Sequence, residues 1–230
     1  MIEFFSVIEG VAEAYPVVQA KKALPSWVSE ARKEKNDATS ITKCPGIFEL
    51  FGAGYILPLP WDVEVESTNQ RLEAFMNPVM EELLKKPPVQ IQDGDSIAKH
   101  LPKRPWSNKS VLKINTPWHI KSKHKVMILP MAYSEAMDFE SSIGLLDPSV
   151  SSEINVQGYV NFFGVKTLKA GYPLCHIVPM TDEKIESIVR DANDEDEKWV
   201  RKKRFLDNST FTLNRNLIRS IYRRFIKKDW

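Results

Sequence analysis

Proline is the feature that most restricts what this chain can fold into. The sequence holds 15 prolines against nine glycines, and all the prolines lie between residues 16 and 179. Proline lacks a backbone N–H and clashes with the preceding helical turn, so it breaks helix interiors but is tolerated at strand ends and edges. The pattern therefore excludes an all-helical bundle over this part of the chain.

Short apolar runs separated by turns predict strands in the same region. Residues 61–67 alternate between apolar and acidic side chains, as a half-buried strand does. From 110 to 180, further runs follow at intervals of about 8–12 residues, which is typical of a sandwich or barrel. The predicted turns are Cys44–Ile47, the hairpin turn 122–125, Asp147-Pro148, Gly164 and Ala170-Gly171. We expect an α+β protein whose antiparallel core is a β-sandwich or a β-clip-like barrel, formed by about 1–20, 45–67 and 110–180.

Helical spacing of apolar side chains predicts helices outside that core. A short helix is expected within 25–38, a helical insert at about 70–88, and helices within 182–200 and 213–228. The chain is accordingly divided into a β-rich core domain, residues 1–181, and a helical C-terminal appendage, residues 182–230.

Charge is concentrated in two neighbouring blocks, although the net charge is only +2. Residues 182–197 hold eight acidic side chains and 201–230 hold ten basic ones. Such blocks suit an antiparallel helical hairpin whose apolar stripe packs on the core or on a partner subunit. Alternatively, the basic helix binds nucleic acid through Arg215, Arg219 and Arg223, because clustered basic residues release counterions from phosphates. A membrane-surface helix is a third interpretation, for which the pattern is short.

Cysteine and histidine give little sign of chemistry. Cys44 and Cys175 have neither disulfide-framework nor zinc-ligand spacing, so two buried thiols are expected. Cys175 and His176 would point to opposite faces of one strand and cannot pair. His119 and His124 lie near one predicted turn, His124 within it, and their spacing of five is unlike that of a metal site. A pairing of Cys44 with a remote histidine remains open, but no cofactor is expected.

No apolar run approaches the ~20 residues needed to cross a bilayer, so no membrane partner is expected. The N-terminal stretch carries Glu3 and Glu9 and does not resemble a signal peptide. Trp61, Trp118, Tyr133 and Tyr159 are candidates to line a pocket that stacks a base or a sugar, the alternative being that they are core aromatics.

The window 143–180 resembles the dUTPase/dCTP deaminase β-clip superfamily. The matching positions are Gly144 to Asp147, Glu153 to Val156, and Lys169-Ala170-Gly171 to Ile177. In that superfamily a Gly-x-x-Asp turn precedes a short acidic strand, and a later Lys-x-Gly strand closes the barrel. The resemblance implies that Asp147 positions the attacking water of a Mg²⁺-dependent nucleotide pyrophosphatase.

This sequence departs from that pattern at the positions where members of the superfamily bind phosphate. No arginine stands in 130–134, where the superfamily has Arg-Ser-Ser, and His176 replaces the glutamine of the closing strand. The resemblance thus bears on fold more than on activity.

A second resemblance, to uncharacterised proteins of marine tailed phages, especially cyanophages, covers nearly the whole chain. That family is distantly related to a bacterial domain of unknown function. The residues that carry it are Phe4-Phe5-Ser6, Trp27, Cys44–Ile47, Gly54–Ile56, Trp61-Asp62, Pro117-Trp118 and Gly171–Cys175. It implies a phage-encoded protein of the host cytoplasm or the virion, and no particular reaction.

The first hypothesis is therefore a non-enzymatic accessory or structural protein that contacts itself or another phage or host protein. The alternatives are a dUTPase-like enzyme that uses Asp147 and Mg²⁺, and a nucleic-acid-binding module that uses the basic C-terminal helix.

Overall fold

A computed structural model describes residues 1–33, 43–96, 99–100 and 108–210. The strands are β1 Ile2–Ser6, β2 Val18–Gln19, β3 Tyr55–Pro58, β4 Val63–Ser67, β5 Leu72–Phe75, β6 Val89–Gln92, β7 Val111–Ser122, β8 Val126–Leu129, β9 Phe139–Ser141, β10 Gly144–Leu146, β11 Glu153–Val160, β12 Gly164–Leu168, β13 Pro173–Pro179 and β14 Ser187–Asp191. The helices are α1 Val11–Ala14, α2 Ser26–Lys33, α3 Pro45–Gly52, α4 Val79–Leu84 and α5 Asp194–Thr210, with a 3₁₀ turn at Ala20–Lys22.

The described strands form three sheets. Sheet 1 has the order β14-β1-β7-β11-β9, with β6 also paired to β7. Sheet 2 has the order β10-β8-β13-β3-β2, and sheet 3 the order β12-β4-β5. The chain is thus an α+β protein made mostly of sheet, as expected, and the described strands do not close into a barrel. None of the described helices is long and apolar enough to cross a membrane.

One segment, residues 139–146, belongs to two sheets. Its first part, β9, pairs with β11 in sheet 1, and the Ser142 N–H extends that ladder by donating to the Gln157 carbonyl at 2.6 Å. Its second part, β10, pairs with β8 in sheet 2. A strand that bends from one sheet into another is how packed sheets make a corner.

All three sheets contribute to one apolar core. Buried residues from each belong to a single cluster, including Phe4 of sheet 1, Leu57 of sheet 2 and Val65 of sheet 3. In β4 the side chains alternate between buried and exposed, which confirms the predicted half-buried strand over Val63–Ser67. The turn predicted at Ala170-Gly171 is confirmed, and Gly171 has a positive φ of 89°. Gly164, where a turn was also predicted, is the first residue of β12, with a positive φ of 100°.

Two predicted turns differ from the structure. The turn at 122–125 exists, but it leads from β7 in sheet 1 to β8 in sheet 2 and is not a hairpin. Cys44–Ile47 is not a turn but the start of α3, with Pro45 in its first turn. Proline suits that position because the first helical N–H groups have no partner within the helix.

Two predicted helices are replaced wholly or partly by strand. In the insert 70–88, only α4 is helical, and Leu72–Phe75 pairs with β4 instead. Residues 187–191 form β14, which pairs in parallel with β1, so the helix expected there is wrong. Tertiary pairing overrides the weak helical spacing of this segment. The helix of the expected appendage begins only at Asp194, and the division at residue 182 stays a prediction.

The basic helix 213–228, with Arg215, Arg219 and Arg223, lies outside the described residues. Acidic residues of the neighbouring block 182–197 already have partners among the described residues. The Asp191 carboxylate accepts hydrogen bonds from the Gly10 and Ala12 N–H groups at 2.7 and 3.0 Å.

Helix α5 is held on sheet 1 by a buried carboxylate. Asp196, with a side chain 1% exposed, forms ion pairs with Lys121 of β7 and Arg190 of β14. It also caps the helix, because its carboxylate accepts from the Asn193 N–H at 2.9 Å while the Asn193 side chain accepts from the Asp196 N–H at 3.0 Å. Burial raises the pKa of Asp196, but the hydrogen bonds from Arg190, Asn193 and Lys121 outweigh it and hold the pKa well below its ordinary 3.8.

Replacing this carboxylate should destabilise the fold in a pH-dependent way. We expect Asp196→Asn to lower the free energy of unfolding by about 2 kcal/mol at pH 7, measured by urea denaturation. Because the folded pKa is depressed, the contribution is present above the ordinary pKa of 3.8 and is lost as the pH falls towards the lowered value. The gap between wild type and variant should therefore be smaller at pH 3 than at pH 7. An equal difference in the free energy of unfolding at pH 3 and pH 7 would contradict this role. Glu197→Gln, which changes an exposed carboxylate of the same helix, serves as the control.

Alanine substitutions at two glycines with positive φ, Gly54 and Gly164, distinguish the cost of backbone strain from the cost of a steric clash. A Cβ at Gly54 would lie 2.1 Å from the Ile177 carbonyl oxygen, whereas one at Gly164 would meet nothing within 4 Å. Gly164→Ala should lose about 1 kcal/mol from strain alone. Gly54→Ala should lose about 3 kcal/mol, because the backbone of β13 must also move. Thermal and urea unfolding would test the order, and equal losses would contradict it.

Candidate protein-binding face

Sheet 2 carries apolar side chains on both of its faces. One face contributes Leu57, Val126 and Ile177 to the core. Strand register places the following residues on the opposite, outer face of sheet 2: Leu145, Met127 and Val178 in one row, and Leu129, His176, Ile56 and Val18 in the next. The solvated face of an antiparallel sheet normally carries polar side chains. The outer face of sheet 2 is instead built almost entirely of apolar residues. Ile56 and His176 are buried within the chain, each 5% exposed, so the part of this face that stays uncovered at β10 is the candidate interaction surface.

The outer face is most open at β10. Leu145 is 60% exposed, and Ile143, two residues earlier in the chain, is 73% exposed. Two ion pairs lie nearby. The Lys125 Nζ is 3.7 Å from the Asp147 carboxylate, and the Lys123 Nζ is 2.8 Å from the Glu183 carboxylate. An apolar centre with a polar rim is the usual anatomy of a protein interface.

The C-terminal end of helix α3 contacts the middle of the outer face. The His176 Nε2–H donates to the Ala53 carbonyl, at the C-terminal end of α3, at 2.6 Å. Burial lowers the pKa of His176, against the opposing effect of that hydrogen bond. His176 thus anchors the C-terminal end of α3 as a neutral side chain.

A cleft of about 810 Å³ opens at the β2–β3 end of sheet 2. Its lining is mainly apolar and includes Tyr15, Pro16, Ile56, Pro58, Met131 and Pro173. Glu135 is the one charged residue among the described residues that line it, beside the hydroxyls of Ser26 and Ser134. Apolar concavities with few polar groups are typical binding sites.

An aromatic cluster includes the chain neighbours of two residues that line this cleft, since Trp27 follows Ser26 and Tyr133 precedes Ser134. The rings of Trp27, Phe51 and Tyr133 lie 5.9–6.4 Å apart in edge-to-face arrangements. Tyr133 is 50% exposed and has a positive φ of 56°, which is costly for a non-glycine residue. The Trp27 Nε1–H donates to the Tyr133 carbonyl at 2.8 Å, and the Ser26 hydroxyl donates to the Glu135 carboxylate. The first two residues of α2 therefore fix the loop that carries Tyr133 and Glu135.

No family model, curated protein or solved structure matches this chain. Among the described residues, no group of three or more His, Cys, Asp or Glu side chains is placed to hold a metal ion.

The four aromatic candidates fall into two groups. Trp61, Trp118 and Tyr159 are buried, in agreement with the alternative that they are core aromatics. Tyr133 is 50% exposed. The structure therefore does not bring the four together at one surface site.

Asp147 accepts hydrogen bonds from the residues that follow it in its own turn. Its carboxylate accepts from the Ser149 N–H at 3.0 Å and from the Ser149 hydroxyl at 2.5 Å, and its carbonyl accepts from the Val150 and Ser151 N–H groups. This is the Asx-turn role that aspartate often plays before a strand.

The thiols and histidines also have separate environments. Cys175 is buried, which raises the pKa of its thiol, but Cys44 is exposed, so the expectation of two buried thiols is wrong for Cys44. The buried His119 has Nδ1 3.0 Å from the Ser152 hydroxyl, and His124 lies in the turn after β7.

Sequence reasoning missed Ile143, Leu145, Ser26 and Glu135. One signal was present: Val126–Leu129 is an uninterrupted apolar run, which indicates a strand that is apolar on both faces.

The strain at Tyr133 gives a direct prediction. Tyr133→Gly and Tyr133→Ala both remove the ring, but only glycine adopts a φ of 56° without cost. We expect the glycine variant to be more stable by about 1 kcal/mol in urea denaturation. If the alanine variant proved the more stable, the loop would not hold this residue in a strained conformation.

Proposed function

We propose that the protein is a non-enzymatic accessory or structural protein, of the phage-encoded kind that its sequence resembles, and that it binds another protein or a second copy of itself through the outer face of sheet 2. The observation that carries the proposal is the exposure of Leu145 and Ile143 at the β10 end of the outer face, where the apolar row of Leu145, Met127 and Val178 begins. Burying such a side chain contributes about 1.5–3 kcal/mol, so an uncovered pair favours association.

The same proposal takes the core to be sandwich-like or β-clip-like. It is supported by segment 139–146, which bends from sheet 1 into sheet 2 as a corner strand does.

The two alternatives gain less support. The carboxylate of Asp147 is engaged by Ser149 in its own turn, which leaves a dUTPase-like role with little to rest on. The basic residues Arg215, Arg219 and Arg223 lie outside the described residues, so a nucleic-acid-binding helix is supported by sequence alone.

Charge introduced into the outer face should abolish binding, and the chain offers a matched control. Leu145 in sheet 2 and Val165 in sheet 3 are each 60% exposed. We expect Leu145→Lys to weaken association at least about tenfold, because a lysine must then be desolvated at the contact, and Val165→Lys to leave it unchanged. Sedimentation velocity measures self-association. Binding partners are identified as proteins retained by wild type and lost by Leu145→Lys, then purified and titrated by calorimetry.

Both variants should keep the wild-type circular dichroism spectrum and melting temperature, since the changed side chains are largely exposed. The proposal would be overturned if the wild-type chain stayed monomeric and if Leu145→Lys still retained every protein that wild type retains. An equal loss of binding in Val165→Lys would overturn it as well.

A further inference from the structure

Resting on this proposed function, we propose that the cleft at the β2–β3 end of sheet 2 takes a partner segment in which one arginine stands among apolar residues. Its guanidinium would lie against the ring of Tyr133 and bind the carboxylate of Glu135. The apolar neighbours of the arginine would occupy the cleft itself.

The lining of the cleft sets the chemistry of its occupant. Almost all of it is apolar, and Glu135 is the one charge that the described lining residues supply. A carboxylate in an otherwise uncharged apolar cleft complements an apolar segment with a single positive charge. Pro16, Pro58 and Pro173 stiffen the walls, so little reorganisation is needed on binding.

The loop that carries Glu135 is organised before any partner arrives. The hydrogen bond from Trp27 fixes the carbonyl of Tyr133, and the Ser26 hydroxyl fixes the Glu135 carboxylate. Tyr133 keeps a strained backbone conformation while its ring remains half exposed. Strain of this sort persists where the surroundings enforce it, and it is concentrated at binding sites.

The aromatic geometry favours a flat cation on one ring over a compact cation inside a cage. The three rings are packed edge to face with centroids only 5.9–6.4 Å apart, which leaves no space between them. The exposed surface of Tyr133 remains. A guanidinium stacks on such a ring and donates two parallel hydrogen bonds to a carboxylate, whereas a lysine ammonium acts as a point charge.

Short peptides test this chemistry on the full-length protein. The probe is acetyl-Leu-Pro-Leu-Arg-Leu-Pro-amide, and its two comparison peptides replace the arginine by citrulline, which has the same shape without charge, or by glutamate. Calorimetry should show binding of the arginine peptide, about tenfold weaker binding of the citrulline peptide, and none of the glutamate peptide. Added salt should weaken only the binding of the arginine peptide.

Variants locate the effect. Glu135→Gln should weaken binding of the arginine peptide about tenfold and leave that of the citrulline peptide unchanged, because it removes only the charge. Tyr133→Gly, which suits the positive φ, should weaken arginine-peptide binding several-fold by removing the stacking surface. Glu30→Gln alters an exposed carboxylate elsewhere on α2 and should change nothing.

Equal binding of the arginine and citrulline peptides, or no binding at millimolar concentration, would overturn the inference. So would an unchanged affinity of Glu135→Gln for the arginine peptide. These outcomes are independent of the Leu145→Lys comparison. A loss of association in Leu145→Lys without peptide binding rejects only the chemistry of the cleft. Peptide binding without a loss of association in Leu145→Lys rejects only the role of the β10 end of the outer face.

Discussion

The bend in segment 139–146 is the constraint on which the rest of the structure depends. Ser142 is bonded to β11 in sheet 1, while two residues later Gly144 lies opposite Ile128 in sheet 2. These two registers fix which side of β10 faces outward, because a slip of one residue moves every side chain to the other face. Were β10 shifted by one position, Ile143 and Leu145 would point inward, and the apolar rows would lose their open end.

Much of the fold follows from local pattern where that pattern is unambiguous. Val63–Ser67 alternates so regularly that its burial could be predicted residue by residue. Residues 187–191 show the opposite case, because Ile188 and Val189 suit either a strand or a helix in so short a run. Their parallel pairing with β1 decides the matter, and a partner so remote in the chain leaves no mark on the local sequence.

The candidate site was less predictable for a related reason. Composition shows that Trp61, Trp118 and Tyr133 are large and aromatic, but only the packing shows that two of them are core residues and one is not. The strained conformation of Tyr133 is imposed by contacts from α2 and cannot be deduced from its neighbours in sequence. The uninterrupted apolar run Val126–Leu129 was the one local clue, since it predicts a strand with two apolar faces.

The parallel pairing of β1 with β14 also shapes how the molecule must be assembled. Ile2 lies opposite Ser122 on one side and Ser187 on the other. During translation β1, which includes Phe4 and Phe5, keeps an unpaired edge until β14 has emerged from the ribosome. Unpaired apolar edges recruit other chains, and distant pairings form slowly because a long loop must close first. Until that distant pairing forms, β1 is an edge of sheet 1 at which the incomplete chain can pair with other chains.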